Sequence, residues 1–189
     1  LCDRMFGRLY ALAKIEAAVA GDGRMVKTSD GSFTIVESRD VLLYVDANVG
    51  AGSDEDLRSA CVKFLDRVAL FPAFAKYCKN TDSTADDRLR ATLEERLKVL
   101  EELLPAVSSS SFVMGTDSPT LADASLAPIF LHMKVTLGAI KGTPLDQFTA
   151  ALPKVVAYID KVHSCPAFTR SFRYTESDAV EGWRAARGE

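Results

Sequence analysis

The segment from Ser118 to Gly142 constrains the fold more than any other. Thr120-Leu-Ala-Asp123 opens an apolar run in which Ala124, Leu126, Ala127, Ile129, Phe130 and Met133 leave almost no polar face. A helix of that kind is buried all round rather than amphipathic. Its first turn then carries N–H groups that water cannot reach. Thr120 and Asp123 have the spacing of a capping box, with Asp where Glu is usual: the threonine oxygen accepts from the third helical N–H, and the carboxylate accepts from the Thr120 N–H. This pair reads as a folding element and not as a site. The helix it starts has to be wrapped by others.

The sequence from Ser53 onward supplies those others. Ser53 and Asp56 have capping-box spacing ahead of "LRSACVKFLDRVALFPAFAKYCKN", where Pro72 predicts a kink. "STADDRLRATLEERLKVLEELL" places Leu89, Leu93, Leu97, Leu100 and Leu104 on one stripe, with charges opposite. Its acidic and basic residues are a solvated face laced with i,i+4 pairs. Thr143 reads as an N-cap with Pro144 at the first helical position, and the chain restarts near Pro153. "PAFTRSF" is a short helix, and "ESDAVEGWRAAR" is a final amphipathic one.

Residues 1–50 have a different texture. Met5, Leu9, Leu12 and Ile15 are spaced as on a helix. "GRMVKTSDGSFTIVES" reads as two strands joined through Ser29-Asp30-Gly31. "SRDVLLYVDANV" resumes helical spacing, and "GAGS" at 50–53 is a linker. The expected organisation is therefore an α+β piece over 1–50 followed by an all-α domain over 53–189.

Composition removes several classes. Lys and Arg total 23 against 26 Asp and Glu, a net charge of −3, so there is no basic field to hold nucleic acid. No apolar run approaches the ~20 residues that a membrane-spanning helix needs. The four cysteines, Cys2, Cys61, Cys78 and Cys165, show no C-x-x-C and no metal-ligand spacing, and there are two histidines, so no metal is expected. The cysteines read as reduced thiols, which places the chain in the cytoplasm or another reducing compartment. His132 and His163 read as core or surface histidines. Trp183 reads either as a packing anchor or as a residue that closes the mouth of a site.

In order, "FPAFAKYCKN", "SPTLADASLAPIFLHMKVTLGAIKG", "LPKVVAYIDKVHSCPAFTRSF" and "AVEGW" cover most of residues 53–183. This ordered set resembles the glutathione transferase superfamily, most closely the plant-type dehydroascorbate reductases and the related omega-class transferases. The resemblance implies a thioredoxin-like N-terminal part, here incomplete, followed by an all-α glutathione-transferase-type C-terminal domain. It also implies glutathione as co-substrate and small-molecule substrates, glutathione and dehydroascorbate, rather than nucleic acid or a membrane span.

By that resemblance, the glutathione site has three parts. A C-P-[FY]-[CAS]-x-R motif sets a thiol at a helix N-terminus, where the partial positive charge lowers its pKa. In "LCDRM" only the last positions match, with Cys2 at the fourth residue and Arg4 at the closing Arg. Cys2 is the candidate catalytic thiol; the plainer reading is an ordinary small apolar residue. A Val-Pro turn is the second part, and "GRMVKT" stands where it is expected, with no proline before Pro72. The third part is an acidic residue followed by Ser at a strand-to-helix turn, matched by Glu37-Ser38 after "FTIV". Ser38 would hold the γ-glutamyl carboxylate with its hydroxyl and the helix N–H groups. Between the first helix and the hairpin only "AAVAGDG" stands where such a domain carries a second strand and helix.

Two functions follow. One is a glutathione-dependent thiol oxidoreductase or transferase, reducing dehydroascorbate to ascorbate. The other is a non-catalytic module of glutathione-transferase type that acts as a scaffold for a protein partner. Fold alone does not separate them.

Overall fold

A computed structural model of the chain describes residues 25–27, 33–35, 40, 42, 43, 46, 54–107, 112–170 and 175–189. The chain divides into two compact units, Leu1–Ser59 and Ala60–Glu189. In the first, β1 (Met25–Lys27) pairs antiparallel with β2 (Phe33–Ile35), in the register Met25 to Ile35, Val26 to Thr34 and Lys27 to Phe33. That is the hairpin expected from the sequence. Residues 40, 42, 43 and 46 are helical, where "RDVLLYVD" predicts it. Asp46 is buried and accepts from Arg58 Nε at 2.9 Å.

Among the described residues of the second unit, every regular element is a helix. Its elements are α1 (Glu55–Val68), whose first residues lie in the preceding unit, α2 (Leu70–Lys79), α3 (Ser83–Leu103), α4 (Leu121–Lys141), α5 (Leu145–Thr149), α6 (Pro153–Ser164), α7 (Pro166–Thr169) and α8 (Glu176–Ala185). At 21 residues each, α3 and α4 are about 30 Å long. α4 is central and packs against α2, α5, α6 and α8. Ala124, Leu126, Ala127, Phe130, Met133 and Leu137 of α4 are buried, together with Leu93, Leu97 and Leu100 of α3 and Phe74 of α2. Ile129, which the apolar run would also bury, is only half-buried. Pro128 stands inside α4 without ending it. Packing on every side outweighs the one helical hydrogen bond that a proline removes.

Asp123 joins three parts of the domain. Its Oδ2 accepts from the Thr120 N–H and the Thr120 hydroxyl, both at 2.8 Å, which is the expected box at the start of α4. Its Oδ1 accepts from the Val113 N–H at 3.1 Å and from the Tyr158 hydroxyl on α6 at 3.0 Å. The carboxylate is fully buried. Four donors replace the water it has lost, which is what makes burial of a carboxylate tolerable. Burial, the Asp123 charge and the bond to Asp123 raise the Tyr158 pKa well above its usual value, so the phenol stays protonated and keeps donating.

Glu101 performs a similar service from a distance. α6 opens on Pro153 and has no side-chain cap of its own. The Glu101 carboxylate on α3 accepts instead from the N–H groups of Lys154 at 3.1 Å and Val155 at 2.8 Å. Lys154 Nζ returns a bond of 3.0 Å to the Leu104 carbonyl at the end of α3. Each helix end thus satisfies the other, and each charge suits the dipole it faces.

Three local expectations need correction. Pro72 does not kink a continuous helix. The helix stops at Val68, Ala69 takes a left-handed conformation (φ 46°, ψ 40°), and α2 starts afresh at Leu70. The proline ring would collide with the carbonyl four residues back, which is that of Val68, so the break falls there and Pro72 lies harmlessly in a first turn. The cap of α1 is Asp54, whose Oδ1 accepts from Leu57 N–H at 2.7 Å, and not Ser53, which lies outside the described residues. Pro144 is itself the N-cap of α5, one residue later than expected, because α4 already ends in a left-handed turn at Gly142 (φ 67°).

Replacing Asp123 by Ala strands four buried donors at about 1 kcal/mol or more each. We expect Asp123→Ala to lose about 3 kcal/mol or more in urea melts. A variant as stable as wild type would show that the carboxylate does not hold these segments together.

Candidate functional site

The end of α2 is fixed before anything is built on it. Arg187 Nη1 donates to the Cys78 and Asn80 carbonyls, both at 2.7 Å, and Lys141 Nζ donates to the Asn80 carbonyl at 2.8 Å. Lys141 also donates to Asp86 Oδ1 at 2.7 Å and lies 4.8 Å from the Tyr77 ring centroid. Two cations therefore meet the carbonyl end of one helix, where the helix dipole is negative. One comes from the end of α4 and the other from just past α8. The result pins the C-terminal segment against α2.

With both ends so held, α8 forms the wall of a cleft. The cavity has a volume of about 400 Å³ and is lined by Phe71, Lys79, His132, Asp178, Trp183 and the small residues Ala179, Gly182 and Ala186. α8 is started by a capping box, in which Thr175 accepts from the Asp178 N–H at 3.1 Å while the Asp178 carboxylate accepts from the Thr175 N–H at 2.7 Å. Trp183 packs edge-on against Phe74, with ring centroids 4.9 Å apart. Its indole N–H donates to His132 Nδ1 on α4 at 3.2 Å. Phe71 is 51% exposed, although it is a large apolar side chain on an ordered helix. Gly182 has no positive φ, and a Cβ added there would meet nothing within 4 Å. Neither backbone strain nor crowding accounts for a helical glycine at that point; what it does is leave the cleft open.

The electrostatics are those of a mostly apolar slot with a few polar groups. Burial lowers the pKa of His132, so its ring is neutral at neutral pH. Because Nδ1 accepts from the indole, the ring proton sits on Nε2, which is a donor. Lys79 and Asp178 add one charge of each sign at the edge. A site of this size and character suits an organic molecule of modest size with an apolar or flat body and a few hydrogen-bonding groups.

Two of the cysteines of this unit are closed to solvent. Cys61 and Cys78 are fully buried. Burial pushes the Cys78 thiol up to about 11, against weaker opposing effects of the Thr136 hydroxyl, Lys141 and Arg187. Such a thiol is inert at neutral pH. Cys165 is half-buried at the start of the four-residue α7. Among the described residues there is no group of three or more His, Cys, Asp and Glu side chains that could hold a metal. No helix among them is long and apolar enough to cross a membrane.

The residues that the sequence singles out as a site, Cys2, Glu37 and Ser38, lie outside the described residues. The cleft is built instead from residues that read as structural. Trp183 packs on Phe74, as the packing-anchor reading has it, and it also lines the opening. His132 and Phe71 were legible only as members of helices; the clue was an exposed aromatic beside Pro72, in a segment otherwise patterned for burial.

No family model matches the chain. Over 115 residues it is 31% identical to the chloroplastic glutathione S-transferase DHAR3 of Arabidopsis thaliana, a match that takes in 61% of this chain and 41% of that protein. The chain thus spans less than half of this relative's length. The similarity relates the chain to the glutathione transferase superfamily. The helical bundle around α4 agrees with the all-α domain that such proteins carry.

The neutral state of the histidines gives a pH dependence. Burial lowers both His132 and His163, while the unfolded chain takes up those protons near pH 6.5. Below that value the unfolded state binds more protons, so stability is complete above about pH 6.5 and falls as the pH drops from there. Hydrogen bonds from Thr84 and Thr175 hold Asp82 and Asp178 below the ordinary carboxylate value, and their contribution is lost only in a separate, more acid window. The chain has a single tryptophan, so the emission of Trp183 reports on its neighbour His132. We expect urea midpoints to be lower at about pH 5.5 than at about pH 7.5, with a shallower slope in His132→Gln. Equal midpoints in the wild type would contradict a neutral, buried His132.

Proposed function

We propose that the protein is a glutathione-dependent thiol oxidoreductase of the glutathione transferase superfamily that reduces dehydroascorbate to ascorbate. In this reading residues 1–50 form the thioredoxin-like, glutathione-binding part and residues 53–189 the helical domain. The observation that carries it is the 31% identity over 115 residues to a plant glutathione S-transferase. The complete burial of Cys61 and Cys78 and the raised pKa of Cys78 support assigning the reactive thiol to the N-terminal part, where Cys2 is the candidate.

The chemistry balances with two molecules of glutathione. The Cys2 thiolate attacks dehydroascorbate, water supplies the oxygen, and the products are ascorbate and a sulfenic acid on Cys2. A first glutathione condenses with the sulfenic acid, releasing water and leaving a mixed disulfide. A second glutathione thiolate attacks that disulfide, restores the Cys2 thiol and departs as glutathione disulfide. The Ser38 hydroxyl and the N–H groups at the start of "RDVLLYVD" donate to the γ-glutamyl carboxylate, where the helix dipole favours an anion. Glu37 turns to the α-ammonium group of the same ligand. The compartment in which this chemistry runs is a reducing one, and an organelle such as that of the chloroplastic relative fits.

Calorimetry with glutathione separates the parts of this proposal. We expect binding to the wild type, and Ser38→Ala to weaken it by roughly 1–2 kcal/mol, about tenfold, since the lost bond is to a charged group. Cys2→Ser should abolish dehydroascorbate reduction and leave glutathione binding intact. A folded protein that gives no heat with glutathione would favour the non-catalytic scaffold, and Cys2→Ser with full activity would move the thiol elsewhere.

A further inference from the structure

Apart from the cleft, the helical unit carries a second and larger opening. It lies between α2 and α3 and has a volume of about 830 Å³. Its rim contains four cations, Lys76 and Lys79 from α2 and Arg88 and Arg96 from α3, and among the described residues no acidic one lines it. The chain as a whole is acidic, with a net charge of −3, so this concentration of positive charge runs against the composition.

The spacing on α3 is regular. Arg88, Thr92 and Arg96 recur every four residues on one face, and Arg88 and Arg96 are about 12 Å apart along the axis at 1.5 Å per residue. On the facing helix Pro72, Lys76 and Lys79 form the matching edge, and the small residues Ala69, Ala73 and Ala85 lie in the lining between. Lys76 and Arg88 are exposed, and Lys79 is exposed where it also borders the cleft. Arg96 pairs with Glu95 at 3.0 Å, but the glutamate head is 64% exposed, and exposed pairs of this kind are weak enough to exchange partners.

A groove of two helical turns with small side chains in its lining admits another backbone closely. Cations along both edges, and none of the opposite sign, select an anionic visitor. We propose that the α2–α3 groove is a docking site for an acidic amphipathic helix of a protein partner, whose small or apolar face lies on the alanines while Glu or Asp side chains at i and i+4 pair with Arg88 and Arg96 on one edge and Lys76 on the other. Helix-in-groove recognition uses this division of labour between an apolar seam and charged flanks, and opposite charges on the flanks set partner choice and approach rate. The inference rests on the groove alone and holds for a catalyst and for a scaffold alike.

The test uses the full chain and a labelled synthetic helical peptide of Glu, Ala and Leu, with glutamates at i,i+4 spacing, and a twin in which every Glu is Gln. Fluorescence anisotropy is read at low and at high salt, with amide shifts mapped by NMR. We expect the acidic peptide to bind and the Gln twin to bind much less. Affinity should fall with added salt, and shifts should cluster over residues 69–96. Charge reversal in Arg88→Glu with Arg96→Glu should weaken binding at least about tenfold. Lys76→Glu, on the other helix, should weaken it independently, and circular dichroism checks that each variant keeps its helices. Equal binding of both peptides, shifts that map elsewhere, or variants that bind like wild type would overturn the proposal. A monomer–dimer shift in the charge-reversed protein would overturn it too, by assigning the groove to a second copy of the chain.

Discussion

The Asp123 carboxylate is the constraint on which the rest of the helical unit depends. It is fully buried, and it is tolerable there because four donors reach it from three segments: the 112–113 turn, the start of α4, and Tyr158 on α6. A buried anion of this sort is unforgiving. If any segment moves away, a donor and an acceptor lose their partners together, in surroundings where neither can recover water. The network therefore fixes where α4 begins and how α6 lies against it. It also meets the polar requirement of the N-terminus of α4, so the apolar residues that follow can pack on every side.

The opposite end of the unit is held by cations. Lys141, at the end of α4, and Arg187, just beyond α8, both donate to carbonyls at the end of α2. The side chain of Lys141 is almost completely buried, and the Asn80 carbonyl and Asp86 take the place of the water it has lost. α4 is thus anchored by an anion at its start and by a cation at its end, each opposing the sign of the helix dipole there. The cleft follows from the second anchor. α8 is drawn onto α2 and α4 by Arg187, and the space left between Phe71, His132 and the small residues of α8 is the opening.

Much of this architecture was legible in the sequence because it rests on local rules. The Thr120–Asp123 box, the leucine stripe of α3, the restart at Pro153 and the β1–β2 hairpin each follow from spacing within a few residues. Where the reading missed, the cause was again local and fine-grained. Pro72 broke the chain four residues upstream instead of bending it, and Asp54 displaced Ser53 as a cap. The site was less legible for a different reason. His132 and Trp183 are 51 residues apart and touch only because α8 folds back on α4. Glu101 capping α6 from α3 is a contact of the same long-range kind. No periodicity within a segment encodes such pairs.

The His132–Trp183 contact settles the state of the histidine in the cleft. A histidine half-buried among aromatic rings would ordinarily be a liability, since burial opposes its cationic form. Accepting from the indole N–H resolves this by satisfying Nδ1 in the neutral ring and fixing the proton on Nε2. The neutral ring is then a hydrogen-bond donor of defined position that carries no charge, in a slot whose other polar groups are Lys79 and Asp178 at the edge. The same contact ties the position of His132 to the seating of α8, so anything that loosens Arg187 from the end of α2 would also disturb the ring.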